Sequence, residues 1–162
     1  MVKNDKAQTV KIDTLLLKNG TVIDPAASNN TRTDILIKEN RIVKTGTIEK
    51  DDSYRVVDCS GFYIIPGMMD MHVHLREPGE EHKETIESGS RAAMNGGFTA
   101  VCCMPNTTPC IDSRNHVEFI KKQAAGGLVD VHPVGALTKG RAGEELTEMA
   151  DMVEAGAVGF SD

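Results

Sequence analysis

In the stretch Pro66-Gly67-Met68-Met69-Asp70-Met71-His72-Val73-His74-Leu75-Arg76-Glu77-Pro78-Gly79 the hydrophobic pattern of the chain changes. Before it, apolar residues come in runs too short for helices: Thr14-Leu15-Leu16-Leu17, Val22-Ile23, Ile35-Leu36-Ile37, Ile42-Val43 and Tyr54-Arg55-Val56-Val57. Such runs read as strands. Lys18-Asn19-Gly20 offers the positive φ of a tight hairpin, and Lys38-Glu39-Asn40-Arg41 separates two further β-rich runs. Residues 12–66 are therefore expected to form an antiparallel β module, and residues 1–66 a first domain.

After Pro66, apolar strands over residues 68–75, 98–104, 129–137 and 157–161 alternate with amphipathic helices over about 82–95, 113–125 and 144–154. The interval is roughly thirty residues, the length of a βα unit. The first helix is expected to line Ile86, Gly89, Ala93 and Met94 along one side and to end at Gly96-Gly97. The second has Asp112-Ser113 to cap it, Val117 and Ile120 facing inward, and Gly126-Gly127 to close it; the third is expected to bury Leu146, Met149, Met152 and Val153. Alternation of this kind implies an α/β fold with a parallel sheet. Periodicity alone leaves two architectures open, half of a (β/α)8 barrel or most of a doubly wound sheet. A complete barrel takes about 250 residues, so residues 67–162 would be its first four βα units. No G-x-G-x-x-G or P-loop pattern follows any of the strands.

The chain has 162 residues, 40% of them hydrophobic, and a formal net charge of -6 with its Lys and Arg scattered singly. It can bury a core, and it offers no basic stripe for nucleic acid or for an anionic membrane surface. The polar start at residues 1–13 lacks the apolar segment of a secretory signal, and no apolar run reaches membrane-spanning length, so a cytoplasmic location is expected. Cys59, Cys102, Cys103 and Cys110 form no disulfide framework and read as reduced thiols.

Side chains alternate across a strand, so His72 and His74 should share a face, about 6 to 7 Å apart at Cα, with Asp70 one step back on the same side. Two imidazoles at that spacing can hold one metal ion, although an H-x-H pair can also be two ordinary strand-end histidines. Position favours the metal, because the active sites of β/α folds are assembled at the C-terminal ends of their strands. Arg76 continues the alternation and could clamp a carboxylate, or form a surface ion pair. Asn106, at the end of the second strand in Met104-Pro105-Asn106-Thr107-Thr108-Pro109, offers an amide to a substrate, or is a turn residue beside proline. Asp162, at the end of the fourth strand, is a further candidate metal ligand, or a solvated chain end.

The segments His72-Val73-His74-Leu75-Arg76-Glu77-Pro78-Gly79, Glu81-His82-Lys83-Glu84-Thr85, Gly96-Gly97-Phe98-Thr99 and Met104-Pro105-Asn106-Thr107 together resemble the class I dihydroorotase signature of the amidohydrolase superfamily, over about residues 14–162. The resemblance implies an amidohydrolase-type (β/α)8 barrel, only its first half on hand, preceded by part of a small antiparallel β-sandwich. It implies a zinc-dependent enzyme, with one or two Zn2+ ions per subunit, that interconverts (S)-dihydroorotate and N-carbamoyl-L-aspartate in pyrimidine synthesis. By the same resemblance His72 and His74 are metal ligands, Arg76 and Asn106 hold the substrate carboxylate, and Asp162 is the carboxylate that bridges two metals. Other amidohydrolases place a carboxylated lysine at that bridge, and no lysine follows Lys139 here. Further ligands and the acid/base aspartate would lie beyond Asp162, so no catalytic residue is assigned, and the isolated chain is expected to be inactive. The rival readings are a hydantoinase or allantoinase and a non-catalytic structural partner of aspartate transcarbamoylase. As partners, the resemblance suggests a small-molecule substrate and leaves open a homo-oligomer or association with aspartate transcarbamoylase.

Overall fold

The computed structural model describes residues 14–27 and 29–162; the polar start and the first residues of the expected β module, Ile12 and Asp13, lie outside them. The chain divides between Pro66 and Gly67 into two compact units.

In the first unit, β1 (Thr14–Asp24) pairs antiparallel with β2 (Asn29–Lys38), which pairs antiparallel with β3 (Arg41–Gly46). The turn between β2 and β3 is Glu39-Asn40, with φ of 48° and 61°, the two positive values that match a hairpin to the twist of its strands. On the other side of β1, β4 (Arg55–Asp58) and β5 (Tyr63–Ile64) pair parallel to it, so the module is antiparallel only across β3-β2-β1. Leu16 stands opposite Leu36 on one side and Val56 on the other, and this row packs with Ile48 as the core of the sheet.

Lys18-Asn19-Gly20 is no hairpin. It lies inside β1 as a bulge, with the register shifting between Leu17 and Gly20 and Asn19 at φ 63°. Distant carboxylates hold it there: Asp34 Oδ1 accepts from the Asn19 N–H at 2.8 Å, and Asp58 Oδ1 from the Asn19 amide at 3.1 Å. Asp34 is buried, and its second oxygen accepts from the Ile48 N–H at 3.0 Å and faces Lys18 Nζ at 3.3 Å. These contacts, the backbone of Asn19 first, hold the Asp34 carboxyl below its ordinary 3.8.

In the second unit, β6 (Met68–Val73), β7 (Phe98–Cys103), β8 (Asp130–Gly135) and β9 (Gly159–Phe160) form a parallel sheet in that order. The helices α1 (Ile86–Asn95), α2 (Arg114–Ala124) and α3 (Met149–Glu154) follow β6, β7 and β8. Ile86, Val117, Ile120 and Met152 from all three join Val101 and Val131 of the sheet in one core. A doubly wound sheet reverses its strand order at a switch point and covers both faces. Here the order never reverses and the helices share one face, as in a barrel.

Several details differ from the pattern-based expectation. The alternation in β6 is broken: Asp70 pairs with Val101 and Val73 with Cys103, so an extra residue bulges between them. Residues in register across parallel strands point the same way, which puts Asp70 on the helix side with Val73 and not with His72. β6 ends at Val73, and Arg76 beyond it has φ 64°, so strand alternation does not extend to Arg76. Helix α1 starts at Ile86, where Thr85 and Ser88 form a capping box; Ser90, four residues on from Ile86, is buried, while Met94 is exposed. Ser113 has the extended backbone of an N-cap, but its hydroxyl lies 3.1 Å from the His116 ring and caps no helix N–H. Helix α3 is shorter than its periodicity suggests, because Leu146 forms a β-bridge with Thr138; Leu146 and Val153 are exposed, and of the expected inward side chains only Met152 is fully buried. All four cysteines are free, Cys102 and Cys103 buried, Cys59 and Cys110 half-buried.

Asp34 supplies the measurement that checks the first unit. Replacing it with Ala leaves the Asn19 and Ile48 N–H groups and Lys18 without their acceptor and should cost about 3 kcal/mol in urea unfolding. Because its folded-state pKa is depressed, its contribution is present above the unfolded value of about 4 and is lost as pH falls through the lower folded value. The wild type should lose more stability than Asp34→Asn between neutral pH and pH of about 2.

Candidate metal and substrate site

The site begins where β6 stops. Val73 packs toward the core, and the histidines on either side of it bring their rings together edge to face, with centroids 5.2 Å apart and planes inclined at 72°. Asp70 shapes this end from the other face: its Oδ1 accepts from the backbone N–H of His72 at 3.0 Å, the bond an aspartate makes two residues ahead in a turn. His74 is tied to the next strand, its Nδ1 lying 2.8 Å from Oδ1 of Asn106.

Asn106 reaches His74 because the loops after β6 and β7 are locked together. The Met104 N–H donates to the Val73 carbonyl at 2.9 Å, extending the β6–β7 pairing past the strand ends. Pro105 is fully buried, and its carbonyl accepts from Thr107 at 2.9 Å and Ile111 at 3.2 Å, folding the chain tightly around Asn106. The Thr108 N–H donates to the Pro78 carbonyl at 3.0 Å. At Gly79, φ is 98° and a Cβ would stand 2.0 Å from the Thr108 carbonyl oxygen, so conformation and space both require glycine.

Arg76 does not point its guanidinium at the histidines; Nη1 lies 3.6 Å from Oε2 of Glu80, both side chains about one-third exposed. Lys83 and then Arg76 hold the Glu80 carboxyl below its ordinary range. Glu77, which no local pattern marks, accepts from the Ile86 N–H through Oε2 at 2.8 Å and so anchors the start of α1 to the β6 loop.

Asp162 sits at the end of β9 and ties it to the loop after β8. Its carboxylate accepts from the N–H groups of Leu137 and Thr138, each at 3.0 Å, and from the Thr138 hydroxyl at 2.6 Å. These donors, the Thr138 hydroxyl foremost, hold its pKa low, so it is ionised at neutral pH. It does not meet the histidines: among the described residues no three His, Cys, Asp or Glu side chains come close enough together to enclose a cation. His72 and His74 suit a metal as two adjacent, exposed imidazoles, while both oxygens of Asp162 are engaged elsewhere.

A sequence profile of the dihydro-orotase-like family matches residues 61–162. The chain is 51% identical over 148 residues to a protein of Pelotomaculum thermopropionicum named dihydroorotase, covering 91% of this chain and 35% of that one. It is 42% identical over 149 residues to the dihydroorotase of Clostridioides difficile, with the same coverage. The chain thus spans about a third of the length of these relatives. Among solved structures, the L-hydantoinase (dihydropyrimidinase) of Arthrobacter aurescens superposes with a TM-score of 0.77 at 29% identity, over 90% of this chain and 32% of that one. A D-hydantoinase gives 0.67 at 28% identity, over 87% and 29%.

The loop clamp gives a direct check on this geometry. Gly79→Ala should push the Thr108 carbonyl away, destabilise the chain by about 2 kcal/mol and separate His74 from Asn106; a cross-peak between the two side chains in a nuclear Overhauser spectrum should weaken or vanish. Fold, profile match and relatives agree: this chain belongs to the dihydroorotase-like family, and its four parallel strands and three helices are part of an amidohydrolase-type (β/α)8 barrel.

Proposed function

We propose that this chain is the amino-terminal portion of a metal-dependent dihydroorotase, a cytoplasmic hydrolase that interconverts (S)-dihydroorotate and N-carbamoyl-L-aspartate in pyrimidine synthesis. The observation that carries the reading is the His72–His74 pair at the end of the first parallel strand, with Asn106 from the next strand against it. The names of these relatives support it.

His72 and His74 would hold zinc, which when bound lowers the pKa of a water toward about 7 and polarises an amide carbonyl. Arg76 and Asn106 orient the substrate through its carboxylate. Arg76 can leave Glu80 to do so, because a solvated ion pair of this kind contributes less than about 1 kcal/mol, whereas a bidentate guanidinium–carboxylate pair in a closed site is stronger. Asn106 can donate its amide nitrogen to the same carboxylate while its oxygen stays on His74. Asp162, already ionised at the same end of the sheet, would offset the metal's charge. The hydantoinase reading has the solved structures behind it. Its ring substrates lack the dihydroorotate carboxylate, and Arg76 and Asn106 at neighbouring strand ends favour the acid.

The test is a chimera in which residues 1–162 replace the matching part of the Pelotomaculum relative. It should hydrolyse dihydroorotate and lose turnover and zinc together on His74→Ala; hydrolysis of hydantoins in preference to dihydroorotate would overturn the substrate assignment. In the same chimera Arg76→Lys should lower kcat/KM at least tenfold, about 1.4 kcal/mol or more, and leave zinc content unchanged. The 162-residue chain alone, with two convergent donors, should bind zinc weakly and turn over no dihydroorotate; turnover matching the chimera would show a site complete within it.

A further inference from the structure

We propose that Asn106 is a positioning residue that fixes the His74 ring as its Nδ1–H tautomer, leaving Nε2 as the lone pair available to a metal; the metal half of this rests on the function proposed above. The amide oxygen of Asn106 faces Nδ1 of His74 at 2.8 Å. An amide oxygen only accepts hydrogen bonds, so the ring nitrogen opposite it must donate. A neutral imidazole carries one N–H, and with Nδ1 protonated its lone pair is at Nε2.

The contact is built from outside both residues. Buried Pro105 and its two carbonyl bonds fix the turn that carries Asn106, and the Thr108–Pro78 bond with the close approach at Gly79 fixes that turn against the chain leaving β6. His72 has no counterpart among the described residues: Asp70 holds its backbone N–H, and its ring meets the ring of His74. The two imidazoles are therefore unequal, one set by a hydrogen bond from the neighbouring loop and one free to choose its tautomer. Asn106 keeps its amide nitrogen for a substrate, so one side chain would link the metal ligand to the bound carboxylate.

Long-range 1H–15N correlation spectra of the labelled 162-residue chain, recorded where imidazole is neutral, read the tautomer of each ring. His74 should be Nδ1–H in the wild type and in Asn106→Asp, which keeps an acceptor. In Asn106→Ala it should move to the Nε2–H form that an unconstrained neutral histidine prefers. His72 should be unchanged in all three, and backbone amide shifts outside residues 72–108 should match if the fold is intact. Zinc followed in the same spectra should bind Asn106→Ala about 10- to 100-fold more weakly than wild type, with affinity largely retained in Asn106→Asp. An Nε2–H His74 in the wild type, or a tautomer indifferent to Asn106→Ala, overturns the inference. Zinc content unchanged by His74→Ala in the chimera described above, with the tautomer behaving as stated, overturns the metal assignment and leaves the positioning role standing.

Discussion

The joined ends of β6 and β7 depend on one close approach, the α-carbon of Gly79 against the carbonyl oxygen of Thr108. No other residue type could bring these backbones so near, since a Cβ would stand 2.0 Å from that oxygen. The consequence passes through the chain in short steps. The loop after β6 is pinned to the loop after β7, Thr108 donates to Pro78, and Asn106 is delivered to His74. The two loops are joined by backbone contacts, which is how an exposed histidine keeps a defined partner. Preorganisation of a metal ligand by its surroundings needs rigidity of this kind.

Several acidic side chains act on the chain's own backbone. Asp34 gathers the N–H groups of Asn19 and Ile48, Glu77 takes that of Ile86, Asp70 that of His72, and Asp162 those of Leu137 and Thr138. In each case a carboxylate satisfies donors that a bulge, a helix start or a strand end leaves without a ladder partner. Part of the net charge of -6 is thus spent on irregular backbone, and sequence composition cannot distinguish that use from a charged surface.

The parallel half was legible because its signals are local. Glycine pairs close α1 and α2, apolar residues recur at helical spacing, and the strands are short and rich in apolar residues. What escaped the pattern depends on contacts distant in sequence. Asn19-Gly20 has the composition of a hairpin, but Asp34 and Asp58, fifteen and thirty-nine residues beyond Asn19, hold it inside β1. Asp70 was misplaced because one bulged residue changes the face of everything before it, and no side chain announces the bulge. At the candidate site, the positions of His72, His74 and Asn106 follow from where strands end. The directions of Arg76 and Asp162 follow from Glu80 and Thr138, which no motif connects to them.

The neighbouring thiols of β7 carry a use of their own. Cys103 is buried on the core face, and burial pushes its thiol up to about 12, so almost none of it is thiolate at neutral pH. An alkylating reagent can reach it only when the parallel sheet parts from its helices. Its labelling rate is therefore a clock for the opening of the core that β7 shares with the helices.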